Sequence, residues 1–126
     1  MKKKQGSVLI IEEEERFIDL YKKTLKDEGF IPIIVNSMSK FEEINSLKPD
    51  LIVVDIYGFG KPKMELLKSV RKIHPNKPII VISSLNSVDD CITSYKLGAR
   101  YFIQKSVNTF PLIASIKNIS LDSLVL

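Results

Sequence analysis

Carboxylates, hydroxyls and one amine follow short apolar segments at four points in the sequence. Each polar group comes just after one segment: Glu12–Glu15 after Val8–Ile11, Asp55 after Leu51–Val54, Ser83 and Ser84 after Ile79–Ile82, and Lys105 after Tyr101–Ile103. If the segments are parallel strands of one sheet, their carboxyl ends lie at the same edge. The spacing therefore predicts that these side chains converge.

The residue types indicate the chemistry that such an edge would support. Neighbouring carboxylates repel one another, which favours a hard divalent cation with oxygen ligands, such as Mg²⁺. A metal ion beside Asp55 would neutralise an incoming phosphoryl group and leave the carboxylate free to attack phosphorus. Lys105 would bind oxygens of the same group as a point charge, and Ser83 would hydrogen-bond another. Together these residues indicate an aspartyl-phosphate site.

The apolar pattern predicts the elements that must position these residues. Five short segments rich in valine and isoleucine are typical of buried strands: Val8–Ile11, Ile31–Val35, Leu51–Val54, Ile79–Ile82 and Tyr101–Ile103. Apolar residues at helical spacing predict a helix after each strand: Phe17–Leu25, Phe41–Leu47, Met64–Arg71, Ile92–Lys96 and Pro111–Leu121. Ser87 and Thr109 are candidate N-caps of the last two helices.

Strands that alternate with helices five times predict an α/β fold, in which a parallel sheet is covered by helices on both faces. A chain of 126 residues fits a single domain, residues 1–126, with one hydrophobic core. We expect residues 1–6 to form a disordered basic tail, and residues 121–126 to mark a fragment end or an interface.

In this order and spacing, four stretches of the sequence resemble the receiver domain of two-component response regulators. They are VLIIEE, PDLIVVD, KPIIVISS and KLGARYFIQK, at residues 8–13, 49–55, 77–84 and 96–105. The resemblance covers essentially the whole chain. It implies a flavodoxin-like, doubly wound sheet of five parallel strands in the order 2-1-3-4-5, with five helices.

The resemblance also implies a role for each matched residue. Asp55 would be the phosphoacceptor, and Mg²⁺ would be bound by Glu12, Glu13, Asp55 and the backbone carbonyl of Tyr57. Ser83 would be the switch hydroxyl and Lys105 the lysine of the site. Phe102 would be the aromatic residue whose rotation reports phosphorylation. The partners implied are a sensor histidine kinase or a phosphotransfer protein, and a homodimer through the fourth helix, fifth strand and fifth helix. The domain would not be an enzyme, beyond assisting its own phosphorylation and dephosphorylation.

Five positions depart from the family pattern. Glu12 and Glu13 replace a pair that usually contains aspartate, and each extra methylene moves a carboxylate that Mg²⁺ must hold accurately. Tyr57 replaces a residue that is often small and polar, and Phe59 stands at a common proline position. Ser106 replaces a proline whose peptide bond is often cis, and a serine there strongly favours trans.

These departures leave two other functions open. The first is a pseudo-receiver that acts as a protein-interaction module without phosphorylation. The second, more remote, is a flavodoxin-like flavin or nucleotide enzyme, although four glutamates replace the phosphate-cradling loop that such a protein needs after its first strand. Glu14 and Glu15 also have a simpler interpretation, as acidic residues at a helix N-terminus.

Composition excludes several other kinds of site. One cysteine and one histidine cannot form a zinc cluster of the Cys/His type, and the lone Cys91 fits a reducing compartment such as the cytoplasm. The net charge of +4 is scattered, so we expect no direct binding to nucleic acid. No apolar run is long enough to cross a bilayer, and no signal-like segment is present.

Because no output domain follows, the chain is expected to be either a stand-alone receiver or a fragment of a larger regulator.

Overall fold

The computed structural model describes residues 6–125, with backbone alone for 121–125. Five strands form one parallel sheet: β1 Ser7–Ile11, β2 Ile31–Val35, β3 Leu51–Asp55, β4 Ile79–Ser83 and β5 Tyr101–Gln104. Their order is β2-β1-β3-β4-β5, with every pair parallel. This confirms the predicted flavodoxin-like fold. The basic segment 1–5 lies outside the described residues.

The register of the strands brings their carboxyl ends to one edge. Ile11 of β1 lies opposite Val54 of β3, and Asp55 lies opposite Ile82 of β4. One step farther along, Ser83 lies opposite Gln104 of β5. The residues that end or follow these strands are therefore neighbours in space although they are far apart in sequence.

Five helices connect or follow the strands: α1 Glu15–Asp27, α2 Met38–Phe41, α3 Glu65–Ile73, α4 Val88–Lys96 and α5 Phe110–Val125. The side chain of Ser87 accepts a hydrogen bond from the Asp90 N–H, which confirms the predicted N-cap of α4. No helix in the described part of the chain is long and apolar enough to cross a membrane.

The second helix is shorter than its apolar spacing predicts. α2 ends at Phe41, and a separate 3₁₀ turn covers Ile44–Ser46. The Ser46 hydroxyl donates to the carbonyl oxygen of Glu43 at 2.7 Å, which competes with continued α-helical bonding. The following Pro49 disfavours a helical conformation at Lys48 as well. Phe41 and Ile44 are nevertheless both buried.

Alternate residues of the central strands enter two apolar clusters, one on each face of the sheet. On one face Val8 and Ile10 pack with apolar residues of α1 and α5, among them Ile113, Ile116 and Ile119. On the other face Leu9 and Ile11 pack with residues of α2 and α3. Because both faces are covered, β3 and β4 are buried along their whole length. That burial fixes the strand ends that carry Asp55 and Ser83.

At the opposite end of the sheet, Arg71 of α3 joins three segments of main chain. Its guanidinium donates to four carbonyl oxygens: His74 at 3.3 Å, Pro75 at 2.8 Å, Lys77 at 3.1 Å and Gly98 at 2.8 Å. Gly98 has a φ of 99°, and a Cβ at that position would lie 2.7 Å from Arg71 Nε. Arg71 therefore links the end of α3, the segment before β4 and the turn before β5.

We expect Arg71→Met to lower the free energy of unfolding by about 1–3 kcal/mol, because four carbonyl groups lose a charged donor. Urea denaturation followed by circular dichroism would measure the loss. The matched control is Lys72→Met, in which methionine replaces the exposed basic residue at the next position. There the free energy of unfolding should change by no more than about 0.5 kcal/mol. Equal losses in the two variants would contradict the role assigned to Arg71.

Candidate functional site

Glu12, Asp55 and Lys105 meet at the carboxyl edge of the sheet. Glu12 follows β1 and has no exposed surface, Asp55 ends β3 and is 5% exposed, and Lys105 follows β5 and is 9% exposed. Main-chain hydrogen bonds continue the sheet past the strand ends: the Glu12 N–H donates to the Val35 oxygen at 3.1 Å, and the Lys105 N–H donates to the Ser83 oxygen at 2.7 Å. The backbone thus aims these side chains at one point, as the sequence predicts.

The Lys105 ammonium lies among three carboxylates. Its nitrogen is 3.1 Å from Glu12 Oε2, 2.9 Å from Glu14 Oε1 and 3.0 Å from Asp55 Oδ2, and it donates a hydrogen bond to each. An ammonium has three protons, so these bonds use its full donor capacity. Glu12 Oε1 is only 2.9 Å from the same nitrogen but is buried without a hydrogen bond. One ammonium group is therefore the shared partner of three carboxylates.

Burial and the neighbouring charges shift the pKa values of the groups in the cluster. Burial raises the pKa of Glu12, and this effect outweighs the opposing hydrogen bond from Lys105. Burial alone would lower the pKa of Lys105, but its hydrogen bonds to Glu12 and Glu14 and the charge of Asp55 raise that pKa above its usual range. The hydrogen bond from Lys105 lowers the pKa of Glu14. Near neutral pH the lysine is therefore charged, whereas Glu12 resists ionisation more than an exposed glutamate does.

The side chains of Glu13 and Glu14 have other partners than the sequence predicts. The carboxylate of Glu13, the predicted metal ligand, accepts the Phe59 N–H at 3.0 Å in the loop after β3. Glu14 occupies the N-cap position of α1, as expected, but its side chain makes no capping hydrogen bond and binds Lys105. The backbone of Glu14 is extended (φ −80°, ψ 115°), and alternate residues of an extended segment point to the same side. The third carboxylate of the cluster is therefore Glu14.

Of the remaining predicted residues, Ser83 and Tyr57 are hydrogen-bonded to Lys105 and Asp55, and Phe102 packs against the apolar core. Ser83 is fully buried, and its hydroxyl accepts the Leu85 N–H at 3.1 Å. The Tyr57 N–H donates to Asp55 Oδ1 at 2.9 Å, so the two oxygens of Asp55 have different partners. Phe102, on β5, is half-buried against the apolar cluster beneath α3. No peptide bond within residues 6–125 is cis, so the bond before Ser106 is trans, as predicted.

The residues present fit a hard cation. Glu12, Glu14 and Asp55 each offer an oxygen atom, and the three atoms lie within 4.8 Å of one another. Glu12 Oε1 adds a buried acceptor without a hydrogen bond. Carboxylate oxygens are the ligands that Mg²⁺ and Ca²⁺ prefer, and a divalent charge would offset the mutual repulsion of the three groups.

Comparison with known proteins decides the family. The profile of the response regulator receiver domain matches residues 8–117. The chain belongs to this family. Receiver domains are signalling domains of two-component systems and bind Mg²⁺ in general, and they interact with histidine kinases. The predicted resemblance is thus confirmed.

Individual relatives agree with this assignment. The chain is 35% identical over 115 residues to the sensory transduction protein BceR of Halalkalibacterium halodurans, covering 89% of this chain and 48% of BceR. A CheY-like receiver domain protein from Methanospirillum hungatei has a TM-score of 0.81 at 26% identity, covering 93% and 94% of the two chains. The BeF₃-activated receiver domain of Klebsiella pneumoniae RstA has a TM-score of 0.78 at 27% identity, covering 88% and 95%. The chain spans about a quarter (24%) of the length of its NtrX-like relatives from Rickettsia.

One further contact of the receiver domain has no counterpart in the sequence analysis. The Tyr57 hydroxyl donates to Asp90 Oδ2 on α4 at 2.6 Å, and Lys63 binds the other oxygen of Asp90 at 2.7 Å. A buried acid in the first turn of a capped helix has the same sequence signature as an exposed one, so the contact could not be predicted.

We expect Glu12→Gln to raise the free energy of unfolding at pH 7, because it removes a charge that burial disfavours. A carboxyl whose pKa is raised by folding loses its stabilising contribution as the pH rises through that pKa. The gain should therefore shrink as the pH falls and disappear below about pH 4.5, the ordinary value for glutamate. Urea midpoints between pH 4 and pH 8 would measure it, with exposed Glu15→Gln as the matched control. A loss of stability at pH 7 would show that the pairing of Glu12 with Lys105 outweighs the cost of its burial.

Proposed function

We propose that this receiver domain takes a phosphoryl group onto Asp55 from the phosphohistidine of a sensor kinase or phosphotransfer protein, with Mg²⁺ as cofactor. The observation that carries the proposal is the position of Asp55, a buried carboxylate at a strand end with Lys105 3.0 Å from Oδ2. The lone Cys91 supports a reducing compartment, and we propose the cytoplasm as the location.

The transfer uses Asp55 as a nucleophile. A carboxylate oxygen forms the new O–P bond while the N–P bond of phosphohistidine breaks, and the electron pair of that bond returns to the imidazole, which takes up a proton. Lys105 would leave its carboxylate partners to bind an oxygen of the transferred group, and the Tyr57 N–H holds Asp55 Oδ1 during the approach. The Ser83 hydroxyl, whose oxygen accepts the Leu85 N–H, would donate a hydrogen bond to an oxygen of the phosphoryl group.

Glu12, Asp55 and a third carboxylate would hold Mg²⁺, together with the Tyr57 carbonyl. Bound there, the ion neutralises the charge that develops on the phosphoryl oxygens. The proposal from sequence names Glu13 as the third carboxylate, but the cluster geometry favours Glu14, since Glu13 accepts the Phe59 N–H. Glutamates suit a cluster that must also release Lys105, because their longer side chains reposition without movement of the backbone.

The surface that would change on phosphorylation lies on α4, β5 and α5. Along α4 the apolar residues Val88, Ile92 and Tyr95 face outward, and they are 73%, 48% and 48% exposed. Their spacing places them on one stripe of the helix. We propose that movement of Ser83 and Phe102 shifts the population of two arrangements of this face, which binds a second copy of the chain or a downstream protein.

A pseudo-receiver is the second candidate, and one observation favours it. Lys105 already donates one hydrogen bond to each of three carboxylates, so these groups are bonded to one another through the ammonium. A domain that acts by protein contact alone would need nothing more. Phosphorylation chemistry separates the two proposals.

Incubation with acetyl phosphate and Mg²⁺ should add the mass of one phosphoryl group, since Asp55 is the acceptor. Intact-mass spectrometry would detect the adduct, and alkaline hydroxylamine should remove it, as expected for an acyl phosphate. Asp55→Asn is the matched control and should gain no mass, and neither should the wild type in EDTA. If neither acetyl phosphate nor a panel of phosphorylated histidine kinases produces an adduct, the pseudo-receiver becomes the better proposal.

Single substitutions should identify the third metal ligand. Mg²⁺ affinity, measured by the shift of backbone amide signals on titration, should fall about ten-fold or more in Glu12→Gln and Glu14→Gln, because each loses a charged ligand. Glu13→Gln is the matched control, and its affinity should stay within about two-fold of wild type. The reverse ranking of Glu13 and Glu14 would restore the assignment made from sequence.

A further inference from the structure

The side chain of Tyr57 crosses from the loop after β3 to α4. Its hydroxyl donates to Asp90 Oδ2 at 2.6 Å, and Asp90 Oδ1 lies 2.7 Å from Lys63 Nζ. The Asp90 side chain is 3% exposed, whereas that of Lys63 is 49% exposed. A buried carboxylate is costly unless it is paired, so Asp90 depends on these two partners. Both partners belong to the loop between β3 and α3.

The main chain of Tyr57 touches the phosphoacceptor. Its N–H donates to Asp55 Oδ1 at 2.9 Å. The same residue therefore bonds Asp55 through its backbone and Asp90 through its ring. Two contacts from one residue, in opposite directions, fix the position of the N–H relative to the carboxylate.

The loop that follows has unusual backbone geometry. Phe59 and Met64 are non-glycine residues with positive φ, 62° and 73°. Conformations of this kind cost about 1–3 kcal/mol each and persist where surrounding contacts impose them. Main-chain hydrogen bonds within the loop run from Lys61 N–H to the Gly58 oxygen at 3.3 Å, from Met64 N–H to the Ile56 oxygen at 3.4 Å and from Glu65 N–H to the Pro62 oxygen at 3.0 Å. Side-chain contacts add to them.

Helix α4 supplies such contacts at both ends of the loop. Asp90 binds Tyr57, and one turn later the Ser94 hydroxyl donates to the Met64 sulfur at 3.7 Å. Asp90 and Ser94 are the buried residues of α4, and the Ser87 cap fixes the first turn. Tyr57 and Lys63 each contact one of the two carboxylate oxygens of Asp90.

We propose that Asp90 is a positioning residue: through the Tyr57 hydroxyl it holds the Tyr57 main chain against Asp55. The proposal rests on the proposed function only where phosphorylation is the readout. The position of the Tyr57 main chain can be measured in the unmodified protein as well. Loss of the contact frees the N–H that orients the Asp55 carboxylate, and the carboxylate is then less often aligned for attack.

Amide hydrogen exchange measured by NMR tests the positioning directly. In Tyr57→Phe and Asp90→Ala, exchange of the amide at position 57 should accelerate about ten-fold or more, the effect of one hydrogen bond to a charged group. Asp90→Asn keeps a neutral acceptor and should fall between these variants and wild type. Tyr95→Phe removes a tyrosine hydroxyl from exposed α4 and is the matched control, with no change expected. The amides of Val53 and Val54 in β3 should exchange as in wild type in every variant.

The rate of acetyl phosphate labelling gives the second readout, and it should fall about ten-fold in Tyr57→Phe and Asp90→Ala. Unchanged exchange at position 57 would overturn the proposal, as would acceleration shared equally with β3, which marks a loss of stability only. Faster exchange with an unaltered labelling rate would also overturn it, because the contact would then not serve the reaction. If wild type accepts no phosphoryl group, the proposed function fails, and exchange at position 57 alone decides whether Asp90 positions the main chain.

Discussion

The ammonium of Lys105, bonded to Glu12, Glu14 and Asp55, is the interaction on which the arrangement of the site depends. These groups come from the ends of β1, β3 and β5, and Lys105 is 93 residues from Glu12 in the chain. The contact forms only if the strands are parallel and in register. Three carboxyl groups share one ammonium, and their oxygen atoms are of the kind that a divalent cation such as Mg²⁺ prefers as ligands.

Burial of apolar side chains offsets the unfavourable free energy of burying the ionised Glu12 carboxylate. Glu12 is fully buried with a raised pKa, so its ionised form opposes folding. The apolar clusters on both faces of the sheet, with β3 and β4 buried throughout, offset that cost. The raised pKa of Lys105 and the lowered pKa of Glu14 act in the opposite direction, because folding favours the ionised forms of these two groups. A cation that bound only the folded state would stabilise the fold further.

The sequence predicts the fold and most of the site because both depend on strong local patterns. Short runs of valine and isoleucine have the composition of buried parallel strands, and the polar residues after them must meet at one edge. The break in α2 could not be predicted, since it depends on the hydrogen bond from Ser46 to the Glu43 carbonyl. Glu14 was assigned to the helix N-terminus, and only its extended backbone reveals that it points with Glu12 towards Lys105. The contact between Tyr57 and Asp90 joins residues 33 apart through side chains alone, beyond the reach of any periodicity.

Glutamates in place of an aspartate-containing pair become intelligible from this geometry. Glu12 is long enough for Oε2 to accept the N–H groups of Glu13 and Glu14 at 3.0 and 3.1 Å while the same carboxylate contacts Lys105. The carboxylate thus turns back over its own backbone and orders the segment that delivers Glu14. A shorter side chain would reach less far and would leave that segment to be ordered by other contacts. The carboxylate of Glu12 and the ion pair between Glu14 and Lys105 therefore order the same segment.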